Sequence, residues 1–364
     1  MDEQRVLTLR SLIIASVKTP SRGSLAMPIE SIDVFCHFLP RKYCEAVQAS
    51  TSKPLWMFER AQRIAAMVDL DARLEVLEEF SGYRQIISLA SPPTESLAPS
   101  NAAELTQLAN DELARTTTNG GTRICGFVAA LPLNDVAASV KEARRAVEQL
   151  GAVGVQVFTS VLGRPLDDPE FQPLFQVMAE LDCPVLLHPT RAKNVPDYPQ
   201  ENSSIYDLWW AIGWPHETTL ALIRLAFSGI FDRLPNLKII AHHVGGYLPM
   251  MGGRLGPGMD LLGTRIPPGA TNHIKPPVDE PVLKACARFY ADTASFGWQA
   301  AIECGKAFFG TERLLFATDM PFDSGGGPDY IRSTLAAIDA MELSDSERQK
   351  ILSGNARRFF NLGD

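Results

Sequence analysis

Ile32-Asp33-Val34-Phe35-Cys36-His37 is a run of residues suited to burial that ends in a side chain able to bind a metal. Three further stretches repeat the pattern: Pro184-Val185-Leu186-Leu187-His188, Ile239-Ile240-Ala241-His242-His243 and Leu314-Leu315-Phe316-Ala317-Thr318-Asp319. Each is short and mostly aliphatic, as a parallel strand covered on both faces should be. Working outward, strand patterns fall at 31–36, 85–90, 124–130, 153–158, 184–188, 238–242, 288–292 and 314–318. Amphipathic helix patterns lie between them, the first over 61–80. Asp135 and Gly151 bracket one helix, Asp168-Pro169 opens another, and Ser344-x-x-Glu347 has the spacing of a capping box. Eight such alternations predict an α/β chain folded as one (β/α)₈ TIM barrel. Long βα loops follow strand five, over 189–216, and strand six, over 244–287. No glycine-rich dinucleotide loop follows the first strand, which argues against an open doubly wound sheet.

The barrel is expected to occupy residues 30–364, behind a flexible N-terminal extension over 1–29, with Met27 an alternative start. That extension is a poor secretory signal, because its apolar core is only a few residues long. Lys plus Arg number 34 and Asp plus Glu 42, so the formal net charge is −8. This balance speaks against nucleic acid or an anionic membrane as a partner, since both call for a basic surface. No apolar run approaches the roughly 20 residues of a membrane span. None of the six cysteines forms a C-x-x-C pair, as expected of reduced thiols in a cytoplasmic protein.

Polar side chains at the C-terminal ends of barrel strands are where this architecture builds active sites. His37, His188 and Asp319 can supply three ligands to Zn²⁺ or Mn²⁺, leaving positions for water and substrate. Strand alternation puts Asp33, Phe35 and His37 on one face. By the same rule at most one of His242 and His243 faces the barrel mouth. His216 and His273 lie in loops and are read as non-catalytic. Tyr198, Tyr206, Trp209, Trp210 and Trp214 follow His188 closely, in a position to wall the pocket or a subunit interface.

These residues carry a resemblance. Ile-Asp-Val-x-x-His-Phe-x-Pro (32–40), Leu-Leu-His-Pro (186–189) and Glu-Thr-Thr-x-Ala (217–221) are joined by Gly-x-Phe-Asp-Arg-x-Pro-x-Leu-Lys (229–238), His-x-Gly-Gly-x-x-Pro (243–249) and Thr-Asp-x-Pro-Phe (318–322). Together they resemble the amidohydrolase-related branch of the amidohydrolase superfamily. That branch includes 2-amino-3-carboxymuconate-6-semialdehyde decarboxylase and γ-resorcylate decarboxylase. The resemblance implies a mononuclear metal site on His37, His188 and Asp319, with Asp319 also catalytic. It implies His243 as general base or proton shuttle, and Arg254 as a substrate-carboxylate ligand reaching across a homodimer or larger homo-oligomer. The chain departs from the pattern slightly at Ala317, where the family tends to have glycine, and more sharply in its first strand. The first strand usually carries His-x-His or Glu-x-His, and here Phe35 stands in the first of those positions.

The reading that follows is metal-dependent, non-oxidative decarboxylation of a small anionic carboxylate, aromatic or unsaturated, with Zn²⁺ favoured and Mn²⁺ the alternative. Hydrolysis or hydration at the same metal site is the second reading. A non-catalytic binding barrel, motivated by Phe35, is the third.

Overall fold

The computed structural model describes residues 30–52, 55–259, 261, 265–269, 278 and 280–363. The expected extension over 1–29 and His273 lie outside the described residues. Eight parallel strands run in chain order around one sheet. They are β1 (Ser31–His37), β2 (Tyr83–Ser88), β3 (Ile124–Ala129), β4 (Gly154–Phe158), β5 (Val185–His188), β6 (Ile239–Ala241), β7 (Tyr290–Asp292) and β8 (Leu314–Leu315). Bonds from Val34 N–H to Phe316 O, Asp319 N–H to Phe35 O and His37 N–H to Met320 O close the seam between the last strand and the first. The TIM barrel expected from the alternation is the fold observed.

All seven residues of β1 are buried, as are all of β4 and β5. Ile32, Val34, Ile86, Val128, Leu186, Ile240 and Leu315 form one cluster with Phe35. A second, larger cluster packs the helices around the strands, including Leu105, Ala109 and Leu113 of the helix Ala102–Asn119. Asp135 caps the helix Val136–Leu150, which stops at Gly151 with φ 74°. Ser344 and Glu347 form the expected capping box.

The single helix read over 61–80 is instead three short helices, Trp56–Ala61, Ala65–Val68 and Leu70–Glu78. Asp69 breaks the run: its backbone is extended (φ −129°, ψ 120°) and its carboxylate accepts from Ala72 N–H, starting a new helix. The break places Arg73 beneath the end of β1. Arg73 is fully buried and donates to His37 O, Ala66 O and Gln85 Oε1 at 2.7–2.8 Å. A guanidinium therefore braces the strand end that carries His37.

The face assignment of β1 also needs correction. The register against β2 shifts between Asp33 and Cys36, and a bulge of this kind breaks the two-residue alternation. Asp33 is consequently not beside His37. Its carboxylate accepts from the Tyr83 and Thr318 hydroxyls and from the N–H groups of Phe35 and Thr318. That set of bonds makes Asp33 an internal brace between the first and last strands.

Glu95 is a buried carboxyl of a different kind. It lies in the one-turn helix Thr94–Leu97, is 1% exposed, and neither carboxyl oxygen has a hydrogen-bond partner among the described residues. Burial raises its pKa from 4.5 to about 7. Between those two values the folded chain keeps a proton that the unfolded chain has released, so stability falls as pH rises through this window. The loss is on the order of 3 kcal/mol by pH 7.5. Glu95→Gln should flatten the dependence. Urea unfolding at pH 5 and pH 8 checks it: equal pH slopes in the wild type and the variant would contradict this account of Glu95.

Candidate metal centre and active site

Four histidines and an aspartate converge at the C-terminal mouth of the barrel. His37 and His188 end β1 and β5, His242 and His243 follow β6, and Asp319 follows β8. Each imidazole uses Nδ1 to orient itself. His37 Nδ1 faces Leu89 O at 3.1 Å, His188 Nδ1 faces Pro189 O at 2.7 Å, and His243 Nδ1 faces Ala294 O at 3.0 Å. His242 Nδ1 bonds to Asp292 Oδ2. A carbonyl or carboxylate partner at Nδ1 takes the first proton, so that in the neutral imidazole Nε2 is left as a lone pair.

The free edges meet. His37 Nε2 is buried without a hydrogen-bond partner and lies 3.2 Å from Asp319 Oδ1, and His242 Nε2 lies 3.4 Å from the same oxygen. Ligand atoms sharing a tetrahedral ion with bonds of about 2.0–2.1 Å are themselves about 3.3 Å apart. Two trios, His37 with His188 and His242, and His242 with His243 and Asp319, have their ligand atoms within 4.8 Å of one another. Orphaned lone pairs, a carboxylate and matching separations together fit one divalent ion.

Both adjacent histidines reach the ligand cluster, although of the two only His243 is among the described residues lining the cavity. Strand geometry ends at Ala241, and His243 (φ 55°) and Val244 (φ 59°) take left-handed backbone conformations. Alternation no longer applies there. Asp292 holds the unusual turn, accepting from Val244 N–H and Ala294 N–H through Oδ1 while Oδ2 binds His242. The turn then runs through Gly246 (φ 66°), where a Cβ would come within 2.4 Å of Pro215 O. Asp319 is left-handed too, at φ 67°. Non-glycine residues held there carry strain of about 1–3 kcal/mol each, a cost typical of functional sites.

The electrostatics follow from crowding in a dry place. Burial, and then neighbouring histidines, push the pKa of His188 well below its ordinary value. Burial followed by His242 lowers that of His243 to about 4. Burial acts against the charge on His242, but the Asp292 carboxylate outweighs it and raises the pKa to about 9. Burial likewise opposes ionisation of Asp319, yet the imidazoles of His242 and His37 beside it hold its carboxyl far below the usual range.

A cavity of about 630 Å³ opens onto this centre, with His188, His243 and Asp319 in its lining. Trp209, Trp210, Trp214, Phe296, Trp298 and Tyr330 wall it. Three of the five aromatics noted after His188 thus line the pocket, whereas Tyr198 and Tyr206 are 70% and 87% exposed. Arg254 is exposed on a single π-turn (Arg254–Gly258) and is not among the cavity's lining residues. Among the described lining residues, the permanent positive charge belongs to Arg60, which the sequence reading passed over. Phe35 lies inside the cluster, its ring 4.0 Å from that of His242 and about 6 Å from those of His37 and His188.

The profile of the Amidohydrolase family matches residues 32–362. This chain belongs to the amidohydrolase family. Among curated relatives of this amidohydrolase is 2-amino-3-carboxymuconate-6-semialdehyde decarboxylase of Dictyostelium discoideum, 30% identical over 72% of this chain and 68% of the relative. Another is the γ-resorcylate decarboxylase of Polaromonas sp. (strain JS666), 32% identical over 80% of this chain and 87% of the relative. A solved structure of a dihydroxybenzoic acid decarboxylase from Polaromonas sp. JS666, with bound manganese and the inhibitor 2-nitroresorcinol, superposes with a TM-score of 0.71 at 25% identity. It covers 92% of this chain and 97% of its own.

Proposed function

We propose that this amidohydrolase is a metal-dependent, non-oxidative decarboxylase of an aromatic or unsaturated carboxylic acid. The observation that carries the reading is an aromatic-walled cavity whose floor is the His/Asp cluster. Flat rings fit between tryptophans, and a carboxylate fits against the cation that the converging lone pairs would hold.

His37, His188 and Asp319 would hold the ion, which when bound supplies Lewis-acid polarisation of the substrate's carboxylate or an adjacent hydroxyl. Arg60, at the cavity wall, is placed to neutralise an anionic group of the substrate. The aromatic wall excludes water from the reacting carbon. Breaking the bond to the carboxyl carbon releases CO₂ and leaves its electron pair on the substrate, so one proton must arrive at that same carbon. His243 has an open Nε2 at the cavity and stays neutral above its lowered pKa of about 4, so it is free to take up and pass a proton. Asp319, also in the lining, is the other candidate.

Zn²⁺ is the proposed resident ion, because an imidazole-rich set suits it, and Mn²⁺ is the competitor. Arg254, exposed on its own chain, would serve the cavity of a second copy in a homodimer. The six cysteines are free thiols, which supports a reducing compartment such as the cytoplasm. Among the described residues no helix is long and apolar enough to cross a membrane.

A panel of hydroxylated benzoates and unsaturated carboxylates, assayed for CO₂ beside matched esters and amides, tests the reading. We expect CO₂ release from the acids. Turnover confined to the esters or amides would install hydrolysis in its place.

A further inference from the structure

Phe35 stands at the end of β1 where a metal ligand would be useful, and its ring offers an ion nothing. That ring lies against His242 with planes 19° apart, and the ring of His243 covers the other face at 3.8 Å and 28°. His242 is therefore clamped between two rings and is completely buried. Asp292 takes its Nδ1, so the edge left over is Nε2, and that edge points at Asp319 Oδ1. Of the described residues, His242 alone belongs to both trios of potential ligands.

We propose that His242 is itself a ligand of the divalent ion, giving through Nε2 the bond that Phe35 cannot. The ion would then be held by three imidazoles and one carboxylate: His37, His188, His242 and Asp319. The proposal rests on the reading of this cluster as a metal centre. Asp292 takes on the role of the carboxylate that fixes a ligating histidine's tautomer and raises its basicity. Phe35 becomes the packing surface that sets the plane of the replacement ligand. The rival role for His242 is a proton-carrying bridge between Asp292 and Asp319 with no bond to the ion, and the two differ in how many imidazoles the ion sees.

X-ray absorption at the zinc edge of the intact, zinc-loaded protein counts them. Three imidazoles are expected in the wild type. His242→Ala should show two and bind zinc on the order of 10²-fold or more weakly in competition with a chelator. Asp292→Asn should weaken binding roughly 10–100-fold, as loss of a supporting carboxylate does, while keeping three. Two imidazoles in the wild type would overturn the proposal and leave the metal centre standing. A wild type that takes up no zinc, manganese or cobalt would overturn the metal centre as well. A count of three that persists in His243→Ala assigns the third imidazole to His242, whereas a fall to two in that variant would assign it to His243 and overturn the proposal.

Discussion

Replacing His188 by alanine is expected to strip the ion from the protein and to lower CO₂ release by a factor on the order of 10³ or more. The ring is 2% exposed, its Nδ1 is fixed on Pro189 O, and its other edge faces the shared centre. Lewis-acid stabilisation of developing charge contributes several kcal/mol, and every 1.4 kcal/mol is a factor of ten in rate. His37→Ala and Asp319→Ala should behave alike, because their ligand atoms are 3.2 Å apart at the same centre. The fold should survive, since a functional site that crowds donor atoms together is built at the expense of stability. Metal content by elemental analysis, read beside thermal melting, separates loss of the ion from loss of the fold. A variant that melts normally and keeps a full equivalent of metal would remove that residue from the ligand set.

His243→Ala should give the opposite combination: metal retained, turnover lower by on the order of 10²–10⁴. His243 lines the cavity, whereas His242 lies beneath it, stacked between Phe35 and His243. Burial lowers the pKa of His243 to about 4, so it is uncharged across the neutral range with a ring nitrogen free to relay a proton. The substrate's KM should move less than kcat, because the alanine removes a proton path and leaves Arg60 and the aromatic wall in place. Loss of the ion from this variant would make His243 a ligand and leave the proton to Asp319.

Much of the architecture was legible because barrel strands buried on both faces announce themselves as aliphatic runs. Four of those runs end in the His and Asp side chains that gather at the mouth. The helix caps at Asp135, Gly151 and Ser344 were legible for a similar reason, since their chemistry is local. What escaped the sequence was set by tertiary contacts. A bulge in β1 turns Asp33 away from His37, and nothing in Ile-Asp-Val-Phe announces it. Left-handed backbone at His243 and Val244 defeats the alternation rule, so His242 joins His243 in the cluster where alternation would turn one of the two away. The doubled histidine ahead of Gly245-Gly246 was the available signal, because paired glycines warn of backbone that strand geometry does not govern. Arg60 and the buried Glu95 carried no signal at all: one is an ordinary helix arginine in sequence, the other an ordinary turn glutamate.

The central claim is that CO₂ release depends on one divalent ion held at the barrel mouth. Its most direct test is to titrate zinc, and separately manganese, into chelated wild-type protein while recording CO₂ from the best acid of the panel. Activity should rise linearly and break at one equivalent per chain. Undiminished CO₂ release from the metal-free protein would contradict the account.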